Sequence, residues 1–430
     1  MLIAISGFAA LILILLFKFP LGFSMMAVGF AGLVFLNGFE PALHVVGFEI
    51  IDIGTNFGFV VLPLFVLMGV FVARAKLSDD LYETSNAWLG HFKGGLAMAT
   101  VAACGGFAAV SGSSAATAAT MAKVAIPSMR RYGYADSLAA GTVAAGGTIG
   151  ILIPPSAAMI IYGILTESDI GALFVGGIIP GVITVVLYCL VIMIVVRIWP
   201  ESGPPGKRSD WAARFKSLYK VWGVLVLFIL VLGGIFIGAY TPSEAGAIGA
   251  VGALAFAIGR RKMSFGAFYQ SLIEAGFITT QIFTVAFGAL ILNQFINLSG
   301  MPETIINYLQ ALEVAPIAVI FIILGIYVIL GMFTDGFSMI FISVPIFVPI
   351  VQALGFDLIW WGIVTVMAVE ISLITPPVGL NVFVLKTMLP DVPLTSIFKG
   401  IGPFFVADLI RLAIVVFFPI VVLWLPTVMN

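Results

Sequence analysis

Gly147-Thr148-Ile149-Gly150-Ile151-Leu152-Ile153-Pro154-Pro155-Ser156 sets two consecutive prolines inside an otherwise apolar run. Glu370-Ile371-Ser372-Leu373-Ile374-Thr375-Pro376-Pro377-Val378-Gly379 repeats the arrangement later in the chain. Proline has no amide hydrogen and its ring collides with the preceding turn, so a helix breaks there. In hydrocarbon, the backbone groups freed by a break are tolerated only inside protein or against a wet cavity. One such break reads as a kink. Two in corresponding positions point to the binding site of a transporter.

The surrounding composition fixes the solvent. The chain has 430 residues, 62% of them hydrophobic and 9% charged, with a mean hydropathy of +1.22. No soluble domain of this size is so apolar. The long runs lack strand alternation, so the expected class is an all-α polytopic membrane protein crossing a lipid bilayer. A formal net charge of −1 argues against nucleic acid as a partner. Cys104 and Cys189 lie in apolar runs and read as buried thiols. His44 and His91 lie in polar connections and read as solvated side chains. The apolar run from Met1 to Phe17 has its first positive charge, Lys18, behind it. That is the reverse of a secretory signal, so a retained first helix is expected.

Sliding the chain on itself by 222 residues brings Pro20 onto Pro242, Pro127 onto Pro349, Gly133 onto Gly355, and Pro154-Pro155 onto Pro376-Pro377. This predicts two repeats, 1–198 and 221–430, around a linker at 199–220. Loop charge gives the repeats opposite orientation. Glu40, Glu49 and Asp52 of 37–55 face Arg260, Arg261 and Lys262 in the copy. Arg74, Lys76 and Lys93 of 74–93 face Glu303 and Glu313 of 296–315, and Arg130 and Arg131 of 128–136 face Asp357 of 350–358. Basic loops stay in the cytoplasm, so the linker 199–220 is expected there and both termini outside. Segment 94–127 then enters and leaves on one side as a re-entrant helical hairpin, and 315–350 does so from the other. Their tips are expected within 108–117 and 331–338. The broken helices are 137–165 and 357–386.

Hairpin tips and breaks bring together Ser111, Ser113, Ser114, Thr117, Thr148, Ser156, Thr334, Asp335, Ser338, Ser372, Thr375 and Asn381. These supply hydroxyl and carbonyl oxygens for a hard monovalent cation, and half-helix N-termini for an anion. Asp335 and Glu370 fall within apolar segments, where an ionised group costs at least about 2.5–3.5 kcal/mol. Each reads as a cation ligand, a proton carrier or a helix cap. Asp408 and Arg411, three apart, are expected to pair. Glu244, just after Pro242, reads as helix-start chemistry.

Ala109-Val110-Ser111-Gly112-Ser113-Ser114-Ala115-Ala116-Thr117, Gly150–Ser156, Tyr240-Thr241-Pro242-Ser243-Glu244-Ala245 and Thr375-Pro376-Pro377-Val378-Gly379-Leu380-Asn381 give the chain a family likeness. It resembles the large membrane (M) subunit of tripartite ATP-independent periplasmic (TRAP) transporters over essentially its whole length. The resemblance implies sodium-coupled import of an organic acid, such as sialic acid or a C4-dicarboxylate, across a bacterial inner membrane. It implies two or more Na+ ions and no organic cofactor. It further implies a separate small four-helix membrane subunit, a periplasmic substrate-binding protein, and an elevator with scaffold and transport domains. Sodium would be held by Ser111, Ser113, Pro154 and Pro155, and by Thr334, Asp335, Gly336, Thr375 and Gly379. Substrate would meet Ser111, Ser114, Thr117, Thr148, Ser156, Ser338 and Asn381. A stand-alone divalent-anion/sodium symporter shares this plan. An intramembrane protease is disfavoured, because Gly-x-Ser-Gly, Gly-x-Gly-Asp and His-Glu-x-x-His are all missing from the sequence. A channel would draw its selectivity loop from an oligomer axis.

Overall fold

The computed structural model describes residues 2–17, 19–311, 314–332 and 334–429. Lys18 and Glu313, used above as charge markers, lie outside them. Among the described residues there are helices and no strands. The first part of the chain forms α1 (Leu2–Leu16), α2 (Leu21–Asn37), α3 (Phe39–Thr55), α4 (Val61–Arg74), α5 (Leu77–Leu89), α6 (Gly95–Ser111), α7 (Ser114–Arg131), α8 (Asp136–Thr148), α9 (Ala157–Thr166) and α10 (Ile170–Ile198). The second forms α11 (Trp211–Phe228), α12 (Gly234–Phe236), α13 (Pro242–Gly259), α14 (Phe265–Leu298), α15 (Met301–Ala311), α16 (Pro316–Gly331), α17 (Gly336–Ala353), α18 (Leu358–Ser372), α19 (Leu380–Met388), α20 (Leu394–Phe417) and α21 (Ile420–Met429). Among the described residues, seven helical segments are long and apolar enough to cross a membrane.

Eight α-helix starts are set by capping side chains. Ser113, Ser156, Asp169, Asp210, Ser264, Asp335 and Asp357 each accept an amide of the first turn. This satisfies donors that have no partner within the helix. Thr241 and Glu244 form a reciprocal capping box, with the Thr241 amide donating to Glu244 Oε2 at 2.8 Å. Glu244 thus does the structural work expected of it.

Element bounds recur at the 222-residue offset. Shifting α7 gives the bounds of α17, and α8, α9 and α10 land on α18, α19 and α20 within a few residues. The counterparts also exchange partners. α9 packs on α17 and α19 on α7; α8 packs on α20 and α18 on α10; α2 packs on α14 and α4 on α13. Glycines permit the closest of these approaches. A Cβ on Gly29 of α2 would stand 2.6 Å from the Leu292 nitrogen of α14, the small-residue packing that membrane helices favour.

Several stretches expected as loops are helices. Residues 37–55, 74–93 and 296–315 contain α3, α5 and α15, and α11 begins within the linker at Trp211. Their polar residues lower the hydropathy without breaking helical backbone. A large difference between the halves is α14, 34 residues long, whose counterpart is divided into α3 and α4. Asn56 makes the division by accepting the Gly58 amide at 2.9 Å. The second copy has Ile278 and Thr280 at these positions, which continue the helix.

Asp408 and Arg411 pair at 3.1 Å as expected, fully enclosed. Arg411 also reaches Glu370 Oε2 at 2.8 Å and the Thr184 hydroxyl. Tyr188 donates to both Asp408 oxygens at 2.8 Å. Glu370 therefore faces a buried base between α10, α18 and α20. Cys104 is buried and Cys189 half-buried, both free. His44 is exposed on α3. His91, expected to be solvated, is instead half-buried, with Nδ1 3.3 Å from Arg214 and its ring 4.0 Å from that of Phe92. Partial burial and the nearby Arg214 and Arg208 push its pKa below the usual imidazole value.

Candidate functional site

The first tip is the turn between α6 and α7. Gly112 takes φ +60°, the left-handed conformation that spares glycine a side-chain clash. Ser113 is extended and caps α7 by accepting the Ala116 amide at 3.4 Å. Ser111 and Thr117 hydroxyls bond across the turn at 2.8 Å, and Thr117 also donates to the Ser113 carbonyl at 2.8 Å. The first break begins where α8 ends at Thr148. A 3-10 turn over Ile149–Ile151 and a cis Pro154–Pro155 bond follow. Ser156 restarts the helix, accepting the Met159 amide at 3.4 Å and donating to the Ile151 carbonyl at 2.5 Å. Tip and break touch through glycine: a Cβ on Gly150 would lie 2.8 Å from the Ser113 carbonyl oxygen.

The second tip lies between α16 and α17. Thr334 donates to the Leu330 carbonyl at 3.0 Å. Asp335 caps α17, accepting the Ser338 amide at 3.4 Å and the Ser338 hydroxyl. At the second break, Thr375 donates to the Ile371 carbonyl at 2.7 Å and Pro376–Pro377 is cis. Gly379, at φ +59°, leads into α19. The Asn381 amide returns to the Leu373 carbonyl at 3.2 Å, and its side chain donates to the Ala144 carbonyl of α8 at 3.3 Å.

Three cavities lie at the tips, and the two hairpins share the first two. One, of about 160 Å³, is lined by Ser113 and Ser114 from the first tip and Asp335 and Gly336 from the second. A second, of about 130 Å³, lies between Ser111, Gly112, Ser113, Pro155 and the facing helices α4 and α14. A third, of about 450 Å³, is bounded by Asp335, Ser338, Gln281, Thr284 and the start of α2. Phe337 lines all three. Sequence reading missed it; the available signal was an aromatic residue directly after the Asp335-Gly336 turn. Pro154, Thr117, Thr148, Ser156, Thr334, Thr375, Gly379 and Asn381 do not line these cavities. Thr117, Thr148, Ser156, Thr375 and Asn381 are buried, with side chains bonded to backbone.

The donor set is hydroxyl and carboxylate oxygen, with Asp335 and Glu274 as the charged lining residues and no Lys or Arg among them. Among the described residues no group of three or more His, Cys, Asp and Glu is placed to hold a metal ion. Hydroxyl and carboxylate oxygens are the donors that hard cations prefer. The N-terminus of α7, capped by an uncharged serine, suits an anion.

A family profile described as "Tripartite ATP-independent periplasmic transporter, DctM component" matches residues 8–421. The C4-dicarboxylate TRAP transporter large permease protein DctM of Pseudomonas aeruginosa is 34% identical over 93% of this chain and 93% of its own length. The sialic acid TRAP transporter large permease protein SiaM of Vibrio cholerae is 29% identical over 95% of this chain and 94% of its own. Among solved structures, the YdaH transporter of Alcanivorax borkumensis shares the fold, with a TM-score of 0.64 at 14% identity, over 92% of this chain and 91% of that one.

Proposed function

The chain belongs to the DctM family, the large permease component of TRAP transporters, and on that premise we propose that it imports an organic acid by sodium symport. It is a multi-pass membrane transporter subunit. In our reading it sits in a bacterial inner membrane beside a separate small four-helix subunit. A periplasmic binding protein delivers the acid. The two repeats are inverted, with both termini periplasmic.

One observation carries the reading. Two helical hairpins and the chain flanking two Pro-Pro breaks, far apart in sequence, converge on one small space, with Ser113 and Ser114 on one side, Asp335 and Gly336 on the other, and Ile151, Leu373 and Leu380 from beside the breaks. A sodium-coupled carrier must hold a cation and an anion together and release them together. A carboxylate tip serves the cation, and a neutral-capped helix N-terminus serves the anion. C4-dicarboxylates and sialic acid, carried by the similar permeases, are the first substrates to try. Transport then proceeds as an elevator, with the hairpins and broken helices moving against α2, α4, α13 and α14.

The test is uptake of labelled succinate and N-acetylneuraminate into proteoliposomes holding this chain with its small subunit, binding protein added outside. Uptake that requires sodium supports the reading. Uptake undiminished when potassium or choline replaces sodium overturns the coupling. Uptake without the partner proteins returns the chain to the stand-alone symporter plan.

A further inference from the structure

The cavity beneath the first tip is lined by one charged residue, Glu274 of α14, together with Ser111 and Ser113. An unpaired carboxylate there repels an organic anion. It is not unpaired: Arg74, at the end of α4, holds Glu274 Oε2 through Nη2 at 3.1 Å. Arg74 itself follows Ala73, which lines the same cavity. No Lys or Arg lines any of the three tip cavities, so Arg74 is the base one ion pair removed from them. The pair is partly exposed, at 36% and 51% of the side chains, and pairs so open to water add little to folding. It is also a single nitrogen–oxygen contact, whereas a guanidinium can hold a carboxylate by two. A second carboxylate therefore finds an unused edge of the fork. The basic residues of this part of the chain, Arg74, Lys76, Arg130 and Arg131, place it on the cytoplasmic side of the proposed orientation.

We propose that Arg74 is a release-side anion relay. The substrate carboxylate takes the place of Glu274 on the guanidinium as it leaves the tip cavity, and Glu274 then displaces it towards the cytoplasm. This rests on the organic-anion reading above. Arg74 and Glu274 become positioning and specificity residues for export from the site, outside the residues that hold sodium.

The two single neutral variants separate this from a structural role. Both Arg74→Gln and Glu274→Gln break the same ion pair, so a role in holding α4 to α14 moves both in the same direction. A relay moves them oppositely. In proteoliposomes with the small subunit, external binding protein selects the molecules whose periplasmic face is outward. Counterflow is then measured against internal succinate and, separately, internal N-acetylneuraminate. Glu274→Gln is expected to lower the half-saturating internal concentration by roughly three- to tenfold, and Arg74→Gln to raise it by about tenfold. The double variant falls between, and the sodium dependence of all three stays that of the parent. Shifts of the same sign, or none, in a parent that transports overturn the relay alone. A parent that takes up neither acid with sodium overturns the functional reading and the relay with it.

Discussion

The two hairpin tips have the same backbone plan and opposite chemistry. In the 222-residue register Ser113 corresponds to Asp335, Ser114 to Gly336, Ala115 to Phe337 and Ala116 to Ser338. Both Ser113 and Asp335 are extended residues that cap the following helix, and both types are good caps. Capping thus fixes the geometry and leaves the charge free to differ. At the second tip a fixed carboxylate offsets the positive end of α17. At the first, the residue that caps α7 is an uncharged serine. The lesson is that one structural position, met twice, can carry a carboxylate in one setting and a neutral hydroxyl in the other through a single side chain. The breaks differ as well. Ser156 caps α9, whereas the equivalent Val378 cannot cap α19 and Gly379 turns the chain instead.

The sharpest way to break this comparison is at Asp335. Asp335→Ala removes cap and charge together, and sodium-driven uptake is expected to fall by a hundredfold or more. Asp335→Asn keeps a capping side chain and removes only the charge. It should raise the sodium concentration for half-maximal uptake about tenfold or more, as losing a charged contact worth roughly 1.5–3 kcal/mol implies. An Asn variant with unchanged sodium dependence would reduce Asp335 to a cap and the two tips to one kind.

The converse substitution is Ser113→Asp. Serine and aspartate cap equally well, so thermal stability in detergent should change by no more than about 0.5 kcal/mol. The first tip now carries a carboxylate where the substrate anion is proposed to lie. A tenfold or greater rise in the substrate concentration for half-maximal uptake is expected, since like charges about 4 Å apart repel by about 4 kcal/mol at an effective dielectric of 20. An unchanged half-saturation would place the anion elsewhere.

Much of this plan is legible in the residues because breaks and caps are local. Pro154-Pro155 and Pro376-Pro377 stop helices wherever they occur, and Ser113 and Asp335 sit where a helix start needs an acceptor. What is not legible is long-range or ambiguous. Arg411 meets Glu370 and Thr184, and Tyr188 meets Asp408 across 220 positions, which no spacing rule connects. Phe337 follows the Asp335-Gly336 turn, but as an apolar residue in an apolar run it reads as core until the tips converge. α5 carries Asp79, Asp80 and Glu83, and its charge reads as loop although its backbone is helical. It is tied down by Arg260 on Asp80 and by Lys220 on Glu83 at 2.5 Å.

A third prediction concerns how each tip rests on its break. In the first repeat the glycine is on the break: a Cβ on Gly150 meets the Ser113 carbonyl at 2.8 Å and the Thr117 hydroxyl at 2.9 Å. In the second repeat the glycine is on the hairpin, where Gly331 faces the side chain of Ser372. The register pairs Gly150 with Ser372, so the copies have exchanged which partner gives way. Gly150→Ala and Gly331→Ala should each lower stability by about 1–3 kcal/mol, the usual cost of overpacking. Detergent melting curves test this. Tolerance of alanine at one position and not the other would show that only one tip is clamped to its break.

The smallest effect sharpens the comparison most finely. Ser111 and Thr117 lock the first tip through their 2.8 Å hydroxyl bond. The register gives Thr117 the counterpart Met339, which has no hydroxyl to offer, so this hydroxyl pair has no equivalent in the sequence of the second tip. Ser111→Ala leaves the buried Thr117 hydroxyl still donating to the Ser113 carbonyl, and the expected loss is about 1 kcal/mol. Thr117→Val removes both bonds while keeping the branched shape, and should cost somewhat more. If the two losses combine as a single shared bond, the double variant will be less destabilised than their sum. That non-additivity would locate the stiffness of the first tip in one hydroxyl pair, and would leave the second tip held by Asp335 and Ser338.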